Sequence, residues 1–217
     1  MKRALFAMLL CALPLFAQEP APAPITVDQL WTALQKGNEQ FVGGKLTYNS
    51  LKAERELLRS GQYPPITVLA CADSRVPPEL VFNQTIGGLF VVRAAGNIAD
   101  DFGIASIEFA LSKGWTKLIV VLAHEDCGAI EASLGIADPT TPALNALALR
   151  IRSSFIGIPY DPASKDNMRR AAEANARASV AQLLAASAMI RDAVSKKYIQ
   201  VIPAYYEMST GQVKKIE

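Results

Sequence analysis

The sequence predicts an α/β fold with a mostly parallel sheet of four to five strands flanked by helices. Three short apolar runs rich in β-branched residues lie at 66–71, 89–93 and 118–123, and a stretch with helical periodicity lies at 101–113. Continuous apolar runs of this length are typical of strands that are buried on both faces. Such strands alternate with helices when a parallel sheet is covered on both sides, and this alternation predicts the fold class.

Residues 1–17 are predicted to be a secretory signal peptide. A basic start, Lys2 and Arg3, precedes an apolar run from Ala4 to Leu13, and Ala17 offers a cleavage point. The apolar run is too short to span a bilayer, so no membrane span is expected. A buried N-terminal helix is the alternative interpretation. We therefore expect an exported protein that resides in the periplasm.

The remaining chain is predicted to be a Pro/Ala spacer, residues 18–25, followed by a single domain, residues 26–217. The 217 residues, with 51% hydrophobic content, are enough for one core. The signal peptide carries two basic and no acidic residues, so its removal lowers the formal net charge from +2 to 0. A neutral chain without a block of Lys and Arg is not expected to bind nucleic acid.

The domain is predicted to begin with two helices. Thr26 or Asp28 can cap the first helix, and apolar residues then recur at helical spacing: Leu30, Trp31, Leu34 and Phe41. Trp31, Leu34 and Phe41 fit either the core of one chain or a surface that a second copy covers. Residues 52–59 are predicted to form a second, more polar helix.

The C-terminal half contains a long helical stretch and the last strands. Residues 135–165 carry Gly and Pro without a clear period, which predicts a loop with some helix. The long Ala-rich stretch 168–194 is strongly helical by propensity. Residues 198–206 are predicted to form a fourth strand, and Thr210-Gly211 a turn into a short final strand.

Three side chains suited to a metal follow the predicted strands. Cys71 ends the first strand, His124 follows the third, and Cys127 comes three residues later. In parallel sheets, functional residues collect at the carboxyl ends of strands. Two thiols and one imidazole form a set that Zn²⁺ accepts, with a fourth position open for water. The alternatives are a disulfide between the two cysteines, two unrelated core thiols, and a structural histidine.

Asp73 and Arg75 lie two residues apart directly after Cys71, so in extended geometry their side chains share a face. A carboxylate beside a metal-bound water can accept its hydrogen bond, and an arginine keeps that carboxylate ionised. The alternative is an ordinary surface ion pair, which stabilises little. A cysteine phosphatase loop is excluded, because it would need an arginine at position 77, which is Pro77.

Five segments together resemble the β-class carbonic anhydrases, in order and at family spacing: WTALQKGNEQFVGG, CADSRVPPE, GGLFVVRAAGN, SIEFAL and VVLAHEDCGA. The resemblance runs from about residue 28 to the end of the sequence. It implies the β-carbonic anhydrase fold and zinc-dependent reversible hydration of carbon dioxide to bicarbonate and a proton, through a zinc-bound hydroxide. It also implies one Zn²⁺ per chain, and a homodimer or homotetramer.

The resemblance assigns roles to individual residues. Zn²⁺ would be held by Cys71, His124 and Cys127, and by Asp73 as a fourth ligand in a closed, inactive state. Asp73 and Arg75 would form the catalytic dyad. The implied substrate-binding residues are Gln62, Phe90 and Gly128; Gln62 as a turn residue and Phe90 as plain core are the alternatives.

Three other functions fit part of the pattern. A hydrolase of carbon disulfide or carbonyl sulfide would use the same fold and the same zinc-bound hydroxide. A non-catalytic zinc protein would need only the ligands, and the intact Asp73 and Arg75 argue against it. A disulfide-stabilised binding protein would use Cys71 and Cys127 without a metal.

Overall fold

The computed structural model of the chain describes residues 25–47, 51–135, 141–157 and 164–217. The predicted signal peptide and nearly all of the predicted spacer lie outside the described residues. The strands are β1 (Ile66–Ala70), β2 (Leu89–Arg93), β3 (Leu118–His124), β4 (Gln200–Glu207) and β5 (Gln212–Lys215). They form one sheet in the order β2-β1-β3-β4-β5, in which only the β4–β5 pair is antiparallel. The predicted fold class is confirmed.

The centre of the sheet explains the unbroken apolar runs. Every residue of β1 and β3 is buried, since helices cover both faces there. The edge strand β2 is only half-buried along most of its length. The carboxyl ends of β1 and β3 are adjacent, because Ala70 pairs with Leu122 in parallel register.

The helices are α1 (Val27–Val42), α2 (Leu51–Leu57), α3 (Pro78–Val81), α4 (Asp101–Ser112), α5 (Gly128–Ser133), α6 (Pro142–Arg152), α7 (Lys165–Ala186) and α8 (Ala188–Ser195). Short 3-10 turns lie at Leu58–Ser60, Ala95–Asn97 and Ser153–Phe155. A loop with some helix is predicted at 135–165. The described residues of this region contain α6 and the 3-10 turn Ser153–Phe155. No helix among the described residues combines the length and the hydropathy needed to cross a membrane.

The helical structure predicted at 168–194 is confirmed, and Ser187 divides the stretch into α7 and α8. Ser187 has an extended backbone, and its Oγ accepts a hydrogen bond from the backbone N–H of Ile190 as the N-cap of α8. Its hydroxyl donates to Glu108 Oε1 at 2.5 Å. Helix propensity depends on residue types along the helix, so it could not predict a break that a carboxylate of α4 helps to stabilise.

Helix α1 packs against the core of its own chain. Thr26 caps it through a capping box with Gln29. Leu30 and Leu34 are buried in the core, whereas Trp31 and Phe41 are half-buried against it. The alternative that these residues belong to the monomer core is therefore supported for Leu30 and Leu34.

The side chain of Asn38 on α1 forms hydrogen bonds with two distant parts of the chain. Its Nδ2 donates to the carbonyl oxygens of Val81 at 3.0 Å and of Gly211 at 2.8 Å. Its Oδ1 accepts from the backbone N–H of Val213 at 2.9 Å. The neighbouring Gly37 lies so close to α3 that an added Cβ would be 1.9 Å from the carbonyl oxygen of Phe82.

Candidate metal centre and active site

The three predicted metal ligands converge at the carboxyl ends of β1 and β3. Cys71 follows β1, His124 is the last residue of β3, and Cys127 is the N-cap of α5. The ligand atoms of these residues all lie within 4.8 Å of one another, and all three residues are buried. Asp126 adopts a left-handed conformation (φ 50), which allows the sharp turn from β3 into α5.

The imidazole of His124 is oriented as a metal ligand. Its Nδ1 lies 2.8 Å from the carbonyl oxygen of Glu125, so Nδ1 carries the proton and donates. Nε2 then keeps its lone pair, yet it is buried and has no hydrogen-bond partner among the described residues. A buried acceptor without a partner is costly unless something else binds it, and a metal ion on Nε2 meets that need.

The two thiols are free, with 3.9 Å between the sulfur atoms, so the alternative of a disulfide does not hold in this structure. Hydrogen bonding with Cys127 and with the backbone N–H groups of Asp73 and Gly96 lowers the pKa of Cys71 to about 4. Hydrogen bonding with Cys71 and burial raise the pKa of Cys127. A bound cation would displace the protons that the two thiols hold. This donor set fits Zn²⁺.

Asp73 and Arg75 form a close ion pair beside the cluster. Arg75 donates from Nε to Asp73 Oδ1 at 2.9 Å and from Nη2 to Oδ2 at 2.7 Å. This bidentate bond is the main reason why the pKa of Asp73 is lowered to about 2. Arg75 Nη2 also donates to the carbonyl oxygen of Asp126 at 2.9 Å, which joins the pair to the turn that bears Cys127.

The carboxylate of Asp73 does not belong to the group of converging ligand atoms in this structure. Both of its oxygens are held by Arg75 instead. The arrangement is that of the open state, and the role of Asp73 as a fourth ligand stays a prediction.

Arg93 is a site residue that the sequence analysis missed. It ends β2, and it donates from Nε to the carbonyl oxygen of Cys71 at 2.9 Å and from Nη2 to that of Asp73 at 2.5 Å. The guanidinium thus fixes the backbone on both sides of Ala72. A charged residue that closes an apolar run at the carboxyl end of a strand is the signal that could have identified it.

The three predicted substrate-binding residues have different positions. Gly128 directly follows Cys127, and no described atom lies within 4 Å of a Cβ added there, so it leaves space beside the ligand. Phe90 pairs in register with Thr67, four residues before Cys71, which is about 13 Å along the strand. Phe90 packs against Trp115, and Gln62 is exposed. The substrate-binding roles of Gln62 and Phe90 stay predictions.

The family model described as carbonic anhydrase matches residues 66–213. Carbonic anhydrase 2 of Mycobacterium tuberculosis is 34% identical over 189 residues, which cover 84% of this chain and 89% of that protein. The chain belongs to the β-class carbonic anhydrase family. A carbonic anhydrase of Mycolicibacterium smegmatis is 43% identical over 109 residues, or 50% of this chain and 53% of that protein.

Solved β-carbonic anhydrases share the fold. The structure of the Coccomyxa β-carbonic anhydrase in complex with acetazolamide has a TM-score of 0.69 at 24% identity, covering 89% of this chain and 87% of that one. A tetrameric β-carbonic anhydrase of Sordaria macrospora has a TM-score of 0.68 at 24% identity, covering 87% and 97%. The resemblance inferred from the motifs is thus confirmed, and the chain is an enzyme of the carbonic anhydrase type.

Proposed function

We propose that this β-carbonic anhydrase hydrates carbon dioxide reversibly to bicarbonate and a proton, with Zn²⁺ held by Cys71, His124 and Cys127 and with Asp73 and Arg75 as the catalytic dyad. One observation carries the proposal. A buried Cys₂His cluster, with an unpartnered His124 Nε2, lies beside an ion-paired carboxylate.

The ligands prepare the site for the metal. Zn²⁺, when bound, supplies a Lewis acid that lowers the pKa of water. Two backbone N–H groups point at Cys71 Sγ and favour its thiolate form, which is the form that binds a metal. His124 presents Nε2, because the carbonyl oxygen of Glu125 fixes the proton on Nδ1. Both ligands are therefore prepared for a cation before one binds.

The dyad orients the nucleophile. Asp73 is ionised at neutral pH, so its carboxylate can only accept hydrogen bonds. A water that donates one hydrogen to Asp73 has its lone pair directed toward the carbon of carbon dioxide. Arg75 holds the carboxylate from two sides and keeps it from turning.

Asp73→Ala and Cys127→Ser test the proposal by stopped-flow hydration on protein of measured zinc content. Asp73→Ala should keep its zinc and lose about 10²- to 10⁴-fold in turnover, the range for a group that handles protons in the transition state. Cys127→Ser should lose both zinc and activity. Asp192→Ala, an exposed carboxylate on α8, is the matched control. Wild-type turnover in Asp73→Ala would refute the dyad, and full zinc content in Cys127→Ser would refute the ligand set.

We also propose that the enzyme is a homodimer or homotetramer. The edge strand β2 is half-buried rather than covered, and Phe102 on the neighbouring α4 is 86% exposed. The β-carbonic anhydrase of Sordaria macrospora, which shares this fold, is tetrameric. Analytical ultracentrifugation tests the proposal, and a sedimenting species with the mass of one chain would refute it.

We propose, further, that the enzyme is exported to the periplasm. The support is the pattern of residues 1–17: a basic start, an apolar run and Ala17 at the cleavage point. N-terminal sequencing of the protein from a periplasmic fraction tests this, with Gln18 expected as the first residue. Recovery in the cytoplasm with an intact N-terminus would refute it.

A further inference from the structure

Two buried polar side chains of α7 bind the turn Ala95–Asn97, which lies next to the metal centre. Asn175 and Ser179 lie one helical turn apart and are 2% and 4% exposed. Asn175 Nδ2 donates to the carbonyl oxygen of Gly96 at 2.6 Å, and Ser179 Oγ donates to that of Asn97 at 3.0 Å. The two side chains therefore hold successive peptide groups of one short turn.

The turn that they hold has a conformation that seldom forms without support. Gly96 and Asn97 both have positive φ, 66 and 44 respectively. Left-handed residues in succession persist only where surrounding contacts determine them. The turn also lies close to α6, because a Cβ added at position 96 would be 2.6 Å from Ile151 Cδ1, so glycine is the residue that fits there. Asn175 and Ser179 are among the contacts that fix the turn.

The orientation of the turn has a direct consequence for a metal ligand. It directs the backbone N–H of Gly96 at Cys71 Sγ, with 3.2 Å between nitrogen and sulfur. A hydrogen bond to a thiolate stabilises its charge and withdraws electron density that the sulfur would otherwise donate to a metal. The same bond fixes where the sulfur stands. The strength of Cys71 as a ligand thus depends on where the turn holds Gly96.

We propose that Asn175 and Ser179 are positioning residues, which hold the Gly96 N–H on Cys71 Sγ and so set the donor strength of that thiolate toward the metal. The proposal rests on the proposed function, because it takes Cys71 to be a zinc ligand. Neither side chain touches the reacting groups, and each acts through one carbonyl of the turn.

Ser179→Ala and Asn175→Ala test the proposal, each removing one donor from the turn. The matched control is Thr116→Val, which breaks the buried hydroxyl bond to Thr67 (2.7 Å), next to the amino ends of β1 and β3. Two quantities are measured on the folded proteins: the Kd for Zn²⁺ by chelator competition, and the thiolate-to-metal charge-transfer band of the Co²⁺-substituted enzyme. Circular dichroism establishes that each variant is folded.

Both variants should bind Zn²⁺ about tenfold more weakly than the wild type, because the sulfur of Cys71 loses its fixed position and this outweighs its stronger donation. Their Co²⁺ band should move to longer wavelength, because a thiolate that has lost a hydrogen bond releases charge more easily. The control should change neither quantity. A wild-type band in both variants, or an equal shift in the control, would overturn the positioning role. A wild-type protein that binds neither metal would overturn the proposed zinc chemistry, and this proposal with it.

Discussion

The substitution Arg75→Gln separates the two contributions that the dyad arginine makes to Asp73. Arg75 lowers the pKa of the carboxylate from 3.8 to about 2, and its guanidinium also fixes both oxygens in space. The pKa difference corresponds to about 2.5 kcal/mol at 1.36 kcal/mol per unit. Since the Arg75 side chain is 52% exposed, screening by solvent reduces this interaction to about 1 kcal/mol.

The interaction with Arg75 is not needed to keep Asp73 charged at neutral pH. Without Arg75 the pKa would return toward its ordinary value near 3.8, so the carboxylate would stay ionised throughout pH 6 to 9. Lost activity must then come from lost orientation, for which about 10²-fold in kcat/KM is a reasonable magnitude. We expect this decrease with unchanged zinc content and an unchanged shape of the pH profile.

Stopped-flow hydration between pH 6 and 9, with zinc measured on the same samples, provides the assay. Arg59→Gln is the matched control, because Arg59 makes an exposed ion pair with Glu56 at 3.3 Å that involves none of the ligands. A turnover within threefold of the wild type would mean that Asp73 and Arg75 are an ordinary surface pair. A pH profile of the hydration rate that is displaced along the pH axis would mean that Arg75 acts on the charge of Asp73 and not on its orientation.

Three further predictions concern the fold and the site. Zinc added to the metal-free enzyme should release protons at pH 7, measured with an indicator dye, because a metal displaces the protons that its thiol ligands hold; no release at all would contradict binding through Cys71 and Cys127. Ser187→Ala removes the cap of α8 and should cost about 1 kcal/mol, lowering Tm by about 3 °C; an unchanged Tm would show that the cap is not needed. Burial raises the pKa of Tyr205 above its value of about 10 in the unfolded chain. The free energy of unfolding should therefore be unaffected by this residue below about pH 10 and should decrease as the pH rises above that value. Urea unfolding at pH 9 to 11 should therefore show a weaker pH dependence in Tyr205→Phe, and an identical dependence would refute the reasoning.

The strands and the ligand set could be predicted because their causes are local in sequence. A strand buried on both faces of a parallel sheet has an unbroken apolar run in the sequence, so the predicted run at 118–123 lies within β3. Cys71 and His124 could be placed together because each follows such a run and parallel strands end at the same edge. The dyad could be proposed because Asp73 and Arg75 are only two residues apart.

The remaining features depend on contacts between distant parts of the chain. Ser187 breaks the long Ala-rich helix with the help of a carboxylate 79 residues away. Asn175 and Ser179 meet their carbonyl partners at separations of 79 and 82 residues, and Arg93 meets Cys71 at 22. Hydrophobic periodicity and helix propensity report neighbours along the chain, so neither reveals these pairs.

The bonds of Asn38 have a consequence for the order in which the fold is completed. Its partners lie 43, 173 and 175 residues further along the chain, so contacts with very different loop-closure costs meet at one side chain. During synthesis, α1 emerges first but cannot finish docking until the ribosome has passed residue 213. A truncation before Gly211 would therefore remove more than β5: it would leave the buried amide of Asn38 without two of its partners and loosen a helix from the opposite end of the sequence.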